Sequence, residues 1–313
     1  MQPPASSARL QYTGAMQKDT TFKPTPADAK RRFLFEHLDL RGELLHLNSV
    51  LGDIRAIHDY PAGVGRLIGE FLAASVLLAS TLKFRGSLTV QARSDRQIPL
   101  IMAECNSELD VRAIARGAQQ AIAESFDELL GGGQLTLTVA PAKGQRYQGI
   151  VALHEHSLAA SIDTYFSQSE QLGTRLFLTS DGERAAGLLL QQLPMQLEKE
   201  PQQRLEDWQR ISLLASTLTP AELLAASDMA LLRRLFQEDT LRLFDAESVR
   251  FNCSCSRERT LAALSTLGEP EIRSILLEQG VITMDCEFCN QRYGFAEDDL
   301  AHLLKRPEGD PVH

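Results

Sequence analysis

The 313-residue sequence is poor in tryptophan, in cysteine and in positive charge. Its single tryptophan is Trp208, and four of its five cysteines fall between positions 253 and 289. So few, so clustered, they exclude a secreted disulfide framework, which spreads paired cysteines through a small domain. Lys and Arg number 32 against 41 Asp and Glu, a formal net charge of −9, so the broad basic face that binds nucleic acid is missing. No apolar run reaches a membrane span: the most apolar stretch, 67–82, is interrupted by Gly69, Glu70, Ser75 and Ser80. The first residues, Met-Gln-Pro-Pro-Ala-Ser-Ser, lack the basic and apolar regions of a secretory signal. These absences point to a reducing, cytoplasmic setting, with neither membrane nor nucleic acid as partner.

What the chain does have is concentrated near its C-terminus. Cys253 and Cys255 stand in Phe-Asn-Cys-Ser-Cys-Ser-Arg-Glu-Arg, and Cys286 and Cys289 in Asp-Cys-Glu-Phe-Cys-Asn-Gln-Arg-Tyr-Gly-Phe, with 30 residues between the pairs. Two close pairs across a compact spacer predict a four-cysteine zinc site, because zinc takes four soft ligands in a tetrahedron and each tight turn supplies two. Asn290 sits where the chain must turn back, and Asn tolerates the left-handed backbone needed there. Tyr293 and Phe295 alternate as a short strand beside the metal, and Arg257, Arg259 and Arg292 are close enough in sequence to offset the charge of four thiolates. The commonest role of such a site is to staple a small domain. Cys-x-Cys is an unusual half-site, however, and zinc keeps its ligands as the thiolates that oxidants attack. Each pair can also close on itself as a disulfide. A Cys253–Cys255 bridge is strained, and rings so small constrain the unfolded chain little, so such bridges are labile. Cys105 reads as a small core or loop residue.

Residues 1–29, rich in Pro, Ser, Thr and Gln, read as a disordered extension. Strands dominate 30–195. Alternation predicts them at 42–47, 86–93, 98–105, 109–115, 134–139, 147–153, 174–179 and 186–192, with Asp181-Gly182 turning between the last two. Residues 32–38 suit a short helix or a strand equally. Val50, Leu51, Ile54 and Ile57 are spaced for a helix, followed by an apolar helix at 67–82 and another at 157–168. Gly63-Val-Gly65-Arg-Leu-Ile-Gly69 lacks the spacing and the preceding strand of a dinucleotide loop. His154-Glu-His156 stands without further metal ligands and reads as exposed polar residues. Segment 196–250 reads as a helical linker: Leu205, Trp208, Ile211, Leu214 and Leu218 share one face, Thr219-Pro-Ala-Glu222 is a capping box, and Ser227 caps a third helix. Helices of this length hold only when packed. The zinc module spans 251–313 with a helix at 269–279, and its 6 Lys+Arg against 11 Asp+Glu have the wrong sign for a finger that reads DNA. The fold class is α+β: an N-terminal α/β sandwich-like domain, a helical linker and a small C-terminal zinc-binding domain.

In the order and spacing of its motifs the sequence resembles the 33 kDa heat-shock protein family, also called 33 kDa chaperonins. The resemblance runs from residue 30 to the C-terminus. It rests on Arg41-Gly-Glu-Leu, Asp59-Tyr-Pro, Thr81-Leu-Lys-Phe with Gly86, Gln145-Arg-Tyr-Gln-Gly-Ile-Val, Tyr165-Phe with Ser169-Glu-Gln-Leu, Thr174-Arg-Leu-Phe and the two cysteine motifs. Departures are the long N-terminal extension and Gly173, where a proline is expected. The resemblance implies a cytoplasmic, non-enzymatic stress-response chaperone that holds unfolded or oxidatively damaged clients without ATP. It implies one Zn²⁺ on Cys253, Cys255, Cys286 and Cys289 in an inactive, reduced chain. Oxidation is then expected to form the disulfides Cys253–Cys255 and Cys286–Cys289, release zinc, unfold the linker and give homodimers. The apolar faces of the linker helices would become free for clients. Two further readings compete: a thiol–disulfide oxidoreductase using Cys286-Glu-Phe-Cys289, and a zinc-stabilised regulatory protein. The first lacks a βαβ context and its thiols would be masked by zinc; the second is set against the module's acidity.

Overall fold

The computed structural model describes residues 10–12, 26–82, 85–153, 156–169 and 173–304. They form two compact units that divide between Asn252 and Cys253. Most of the expected N-terminal extension, together with His154 and Glu155, lies outside the described residues.

The first unit opens with β1 (Leu10–Tyr12), β2 (Ala29–Phe35) and β3 (Leu40–Leu47), then α1 (Ser49–Ile57) and α2 (Ala62–Ala79). There follow β4 (Gly86–Arg93), β5 (Leu100–Asn106), β6 (Asp110–Arg116), the short α3 (Phe126–Leu130), β7 (Gln134–Pro141), β8 (Tyr147–Ala152), α4 (Leu158–Ser169), β9 (Thr174–Ser180) and β10 (Ala185–Gln192). It ends with α5 (Pro201–Ser216), α6 (Pro220–Ala225), α7 (Asp228–Leu235) and three short strands, β11 (Leu241–Leu243), β12 (Glu247–Ser248) and β13 (Arg250–Phe251). One sheet runs β1-β11-β2-β3-β10-β9, with β12 also on β2; the other runs β13-β6-β5-β4-β7-β8. Thus 196–250 is more than a run of helices, since its last third supplies strands to both sheets.

Helix α2 lies against both sheets and buries 13 of its 18 residues. Its mean hydropathy of 1.6 would pass for a membrane span on composition alone, but the sheets cover it. Leu45, Leu51, Val90, Ile101 and Leu189 join it in one core. The opposite face of the first sheet is covered as well, where Phe33, Leu44, Leu188 and Leu190 meet Ile211, Leu223, Leu231 and Phe236. A strand buried on both faces has no reason to alternate, and residues 185–190 of β10 are all buried. Phe33 lies across its register partner Gly42, so its ring fills the space a Cβ would take.

Two buried carboxylates tie the helices down. Asp39 accepts hydrogen bonds from the backbone N–H groups of Gln196, Leu197 and Glu198 and from Arg204 Nη1 at 2.7 Å. Asp228, at the start of α7, accepts from Arg31 Nε at 2.7 Å and lies 3.3 Å from His46 Nδ1. The Nε2 of His46 is 3.0 Å from the Leu223 carbonyl of α6. Burial alone would raise the Asp228 carboxyl, but His46 and Arg31 hold it below the usual aspartate value. The glycine at 173 has a local cause: its N–H donates to Gln192 Oε1 at 3.0 Å, and Trp208 of α5 stands where a Cβ would go. Proline at this site would remove the donor and push against the tryptophan.

Replacing Asp228 by Ala removes the carboxylate from the Arg31 guanidinium, whose side chain is 6% exposed and which keeps its bond to the Phe244 carbonyl. The expected cost is about 3 kcal/mol, measured by urea unfolding of the intact chain. Because the folded carboxyl titrates below its unfolded value, this contribution is complete above pH ~3.9 and disappears as pH falls further, so wild type and variant should converge in acid.

Candidate metal centre

The second unit contains α8 (Arg257–Leu264), α9 (Glu269–Gln279), the hairpin β14 (Ile282–Asp285) and β15 (Arg292–Phe295), a 3-10 turn at Glu297–Leu300 and α10 (Ala301–Leu304). Among the described residues its buried core is Leu264, Ile272, Ile282, Phe295, Leu300 and Leu304, with Leu261, Ile275 and Met284 among the half-buried side chains packed on it. The hairpin pairs Ile282 with Phe295 and Asp285 with Arg292, which leaves 286–291 as its loop. That loop is folded tightly on itself. The Asn290 N–H donates to the Cys286 carbonyl at 2.7 Å, and the Cys286 N–H donates to the Gln291 carbonyl at 2.9 Å. Asn290 has φ +56°, the left-handed turn expected from its sequence position. Cys253 and Cys255 lie in the loop entering α8. Ser256 caps that helix by accepting from the Arg259 N–H, and Arg259 Nη1 donates to the Ser254 carbonyl at 2.8 Å, bracing the segment between the two cysteines.

The fold brings all four predicted cysteines together, with every Sγ within 4.8 Å of the others. The two short contacts run between the motifs, Cys253 to Cys286 at 3.6 Å and Cys255 to Cys289 at 3.4 Å. Sulfurs bound tetrahedrally at about 2.3 Å sit about 3.8 Å apart, so the cluster fits a four-thiolate metal ion. The Tyr293 hydroxyl donates to Cys255 Sγ at 3.2 Å. Burial raises the Cys253 and Cys289 thiols above their ordinary value. Cys255 goes the other way: burial opposes the shift, but the hydrogen bond from Tyr293 and those of the other thiols carry it down. The Tyr293 hydroxyl is itself pushed up to about 12, chiefly because it donates to Cys255.

The three arginines near the cysteines are each held by a neighbour within the unit. Arg257 Nη1 donates to the Gly294 carbonyl, its Nη2 pairs with Asp299 at 2.7 Å, and its guanidinium lies 4.5 Å from the Phe295 ring centre. Arg292 binds Asp285, and Arg259 holds the Ser254 carbonyl. All three build the scaffold around the cysteines, because a carboxylate or carbonyl was within reach of each. Sequence reading placed Tyr293 beside the metal but did not find its hydrogen bond; its position four residues after Cys289 was the available signal. Cys105 is fully buried in β5, its thiol pushed up to about 12 by burial. His156 sits 2.6 Å from Asp127.

The family described as Hsp33 protein matches residues 28–296 of this chain. The 33 kDa chaperonin of Pseudomonas paraeruginosa is 50% identical over 281 residues, which cover 89% of this chain and 95% of that protein. The 33 kDa chaperonin of Azotobacter vinelandii is 49% identical over 280 residues, covering 88% and 94%. The fold is similar to the crystal structure of the 33 kDa chaperonin from Thermotoga maritima, with a TM-score of 0.74 at 21% identity, across 88% of this chain and 98% of that one. A match over most of the chain, with about half of all residues shared with relatives along nearly their whole length, makes this chain a member of the Hsp33 family.

Proposed function

We propose that this chain is a redox-regulated, ATP-independent holdase chaperone of the bacterial cytoplasm, inactive when reduced and zinc-bound. The observation that carries the proposal is the convergence of four thiols in a unit whose own buried core is six apolar side chains. An all-sulfur, tetrahedral donor set is the one that zinc prefers, and Cys253, Cys255, Cys286 and Cys289 would hold it. Bound there, the ion supplies folding free energy: structural zinc contributes about 10–16 kcal/mol in small modules. Whole domains are stable by only about 5–15 kcal/mol, so a unit this lightly packed depends on its ligands.

Oxidation removes those ligands. Each disulfide formed gives two electrons to a hydrogen peroxide, which takes two protons from solvent because the bound thiolates carry none and leaves as two waters, and neither sulfur remains a thiolate donor. We assign the bridges Cys253–Cys255 and Cys286–Cys289 from the family resemblance. The sulfurs of each pair must then turn toward one another, away from the shorter contacts between motifs. The helices of 196–250 follow in this reading, because α5 buries only Ile211, Ser212 and Ala215 and already shows Leu205 and Leu213 to solvent. The released apolar faces bind unfolded or oxidatively damaged client proteins, and the oxidised chains pair as homodimers. An oxidoreductase reading loses ground on geometry, since Cys286-Glu-Phe-Cys289 lies in a hairpin loop and not at the start of a helix.

Peroxide with mild heat should lower the free thiols of the intact protein from five to one, with buried Cys105 left over. Zinc appearing in solution, and suppression of aggregation of a denatured client, should rise with the same time course. Retained zinc with unchanged activity would reduce the cysteines to a structural staple, and peptide mapping of the oxidised chain decides the pairing. Replacing Tyr293 by Phe keeps the ring and removes the hydrogen bond to Cys255. Zinc affinity, read by competition with a chromophoric chelator, should fall about tenfold, as for other groups that orient metal ligands.

A further inference from the structure

Residues 240–252 form a strip that pairs with both sheets in turn: β11 lies between β1 and β2 in the first, and β13 is the edge strand of the second. Along β2 the Glu36 N–H donates to the Thr240 carbonyl at 2.9 Å, Leu241 and Leu243 stand in register with Phe35 and Phe33, and the Phe244 N–H donates to the Arg32 carbonyl at 3.0 Å. Glu247 and Ser248 then pair with Lys30 and Ala29, and the Val249 N–H reaches the Asp28 carbonyl. The strip crosses to β6, where the Arg250 N–H donates to the Leu109 carbonyl at 3.2 Å and the Asn252 N–H to the Val111 carbonyl at 3.1 Å. The next residue in the chain is Cys253.

At each sheet the strip presents one pattern, an arginine between two apolar residues: Leu241-Arg242-Leu243 on the first and Val249-Arg250-Phe251 on the second. Leu241, Leu243 and Val249 are buried. Arg242 donates to Glu36 Oε1 at 2.9–3.0 Å, and Arg250 to Asp110 Oδ1 at 2.7 Å. Both carboxylates are largely covered, with side chains 13% and 11% exposed. Between them the polarity reverses once, where Glu247 meets Lys30 at 2.9 Å. Removing the strip uncovers two rows of main-chain donors and acceptors, apolar seats on either side, and two recessed carboxylates without a cation. Water satisfies the main-chain groups and the carboxylates but not the apolar seats; another extended segment of the same pattern satisfies all three.

We propose that the edges of β2 and β6 are a docking surface for extended client segments that carry a basic residue between two apolar ones, taking the place of the chain's own strip. This rests on the redox reading for the event that frees the strip. Specificity for cationic over acidic segments follows from Glu36 and Asp110, and the chain's net charge of −9 acts in the same direction.

The test uses a labelled peptide of residues 239–252 and the full-length protein, with binding read by fluorescence anisotropy. Oxidised protein should bind it, and reduced zinc-loaded protein at least about tenfold more weakly, because its edges are filled. The peptide carrying R242E and R250E should bind the oxidised form about tenfold more weakly. A scrambled peptide that binds as well as the true sequence overturns the proposal in favour of unspecific apolar capture. Aggregation suppression is measured on the same samples. Oxidised protein that suppresses aggregation yet ignores the peptide overturns the docking surface and leaves the redox reading standing. If oxidation brings no suppression, the redox reading fails, and the edges are judged on the reduced R242A/R250A variant, in which the strip loses both ion pairs without any change at the cysteines. That variant should bind the peptide, and failure to do so, once faster amide exchange at Leu243 and Val249 shows the strip loosened, sinks the proposal.

Discussion

Six buried apolar side chains cannot by themselves hold the second unit folded, and most of what is distinctive in this protein follows from that shortfall. The sulfurs come from two separate pieces of chain, the loop entering α8 and the loop of the β14–β15 hairpin. Holding them within 4.8 Å closes the 30-residue span between the motifs, including α8 and α9. A metal-held closure offsets the loop entropy that the small core does not. In the proposed reading the arrangement is therefore sensitive at one point: a change in the state of two sulfurs would reopen the span, whereas losing one surface ion pair would scarcely matter.

The first unit is constrained differently. Its first sheet is buried on both faces, so the helix layer of 201–235 is required to cover Phe33, Leu44, Leu188 and Leu190. Yet that layer is not held by apolar contact alone. Asp39 gathers the chain entering α5, Asp228 ties α7 to β2 and β3, and Arg210 makes a two-pronged bond to Asp239 beyond α7. Buried or half-buried charges of this kind fix one geometry and penalise its partial loss, since each partner left behind is costly.

Much of this was legible in the sequence, for identifiable reasons. The capping box at Thr219 and Glu222, the cap at Ser227, the helix Glu269–Gln279 and the turn at Asn290 all depend on local chemistry, and all stand where the residues place them. The four cysteines were legible because metal spacing is itself a local signal. What sequence did not reveal is non-local. Segment 32–38 was ambiguous because only its first four residues are strand, at the end of β2, and four residues fit a helical or an alternating period equally. The strands of 241–251 were hidden within a stretch whose helical pattern is strong, and two- or three-residue strands leave no period to detect. The arginines near the cysteines were assigned by proximity along the chain, while their partners Asp299 and Asp285 were decided by the fold.

The relative size of these interactions also fixes the order of events along the chain. Strand β13 is two residues long, and its ion pair joins Arg250, 66% exposed, to Asp110. An ion pair that open is worth at most about 1 kcal/mol, and a pair of ladder hydrogen bonds about 1 kcal/mol each. Its acceptor Leu109 is held at φ +60°, a left-handed conformation that costs a non-glycine residue about 1–2 kcal/mol. The join between β6 and the residues leading to Cys253 is thus nearly balanced against the strain beside it. Structural zinc contributes about 10–16 kcal/mol in small modules, several times more than this join, so in the proposed reading the metal outweighs it. A join so much weaker than the unit it leads into cannot hold that unit folded once the sulfurs are lost. In the proposed switch the join follows the state of the cysteines and does not set it.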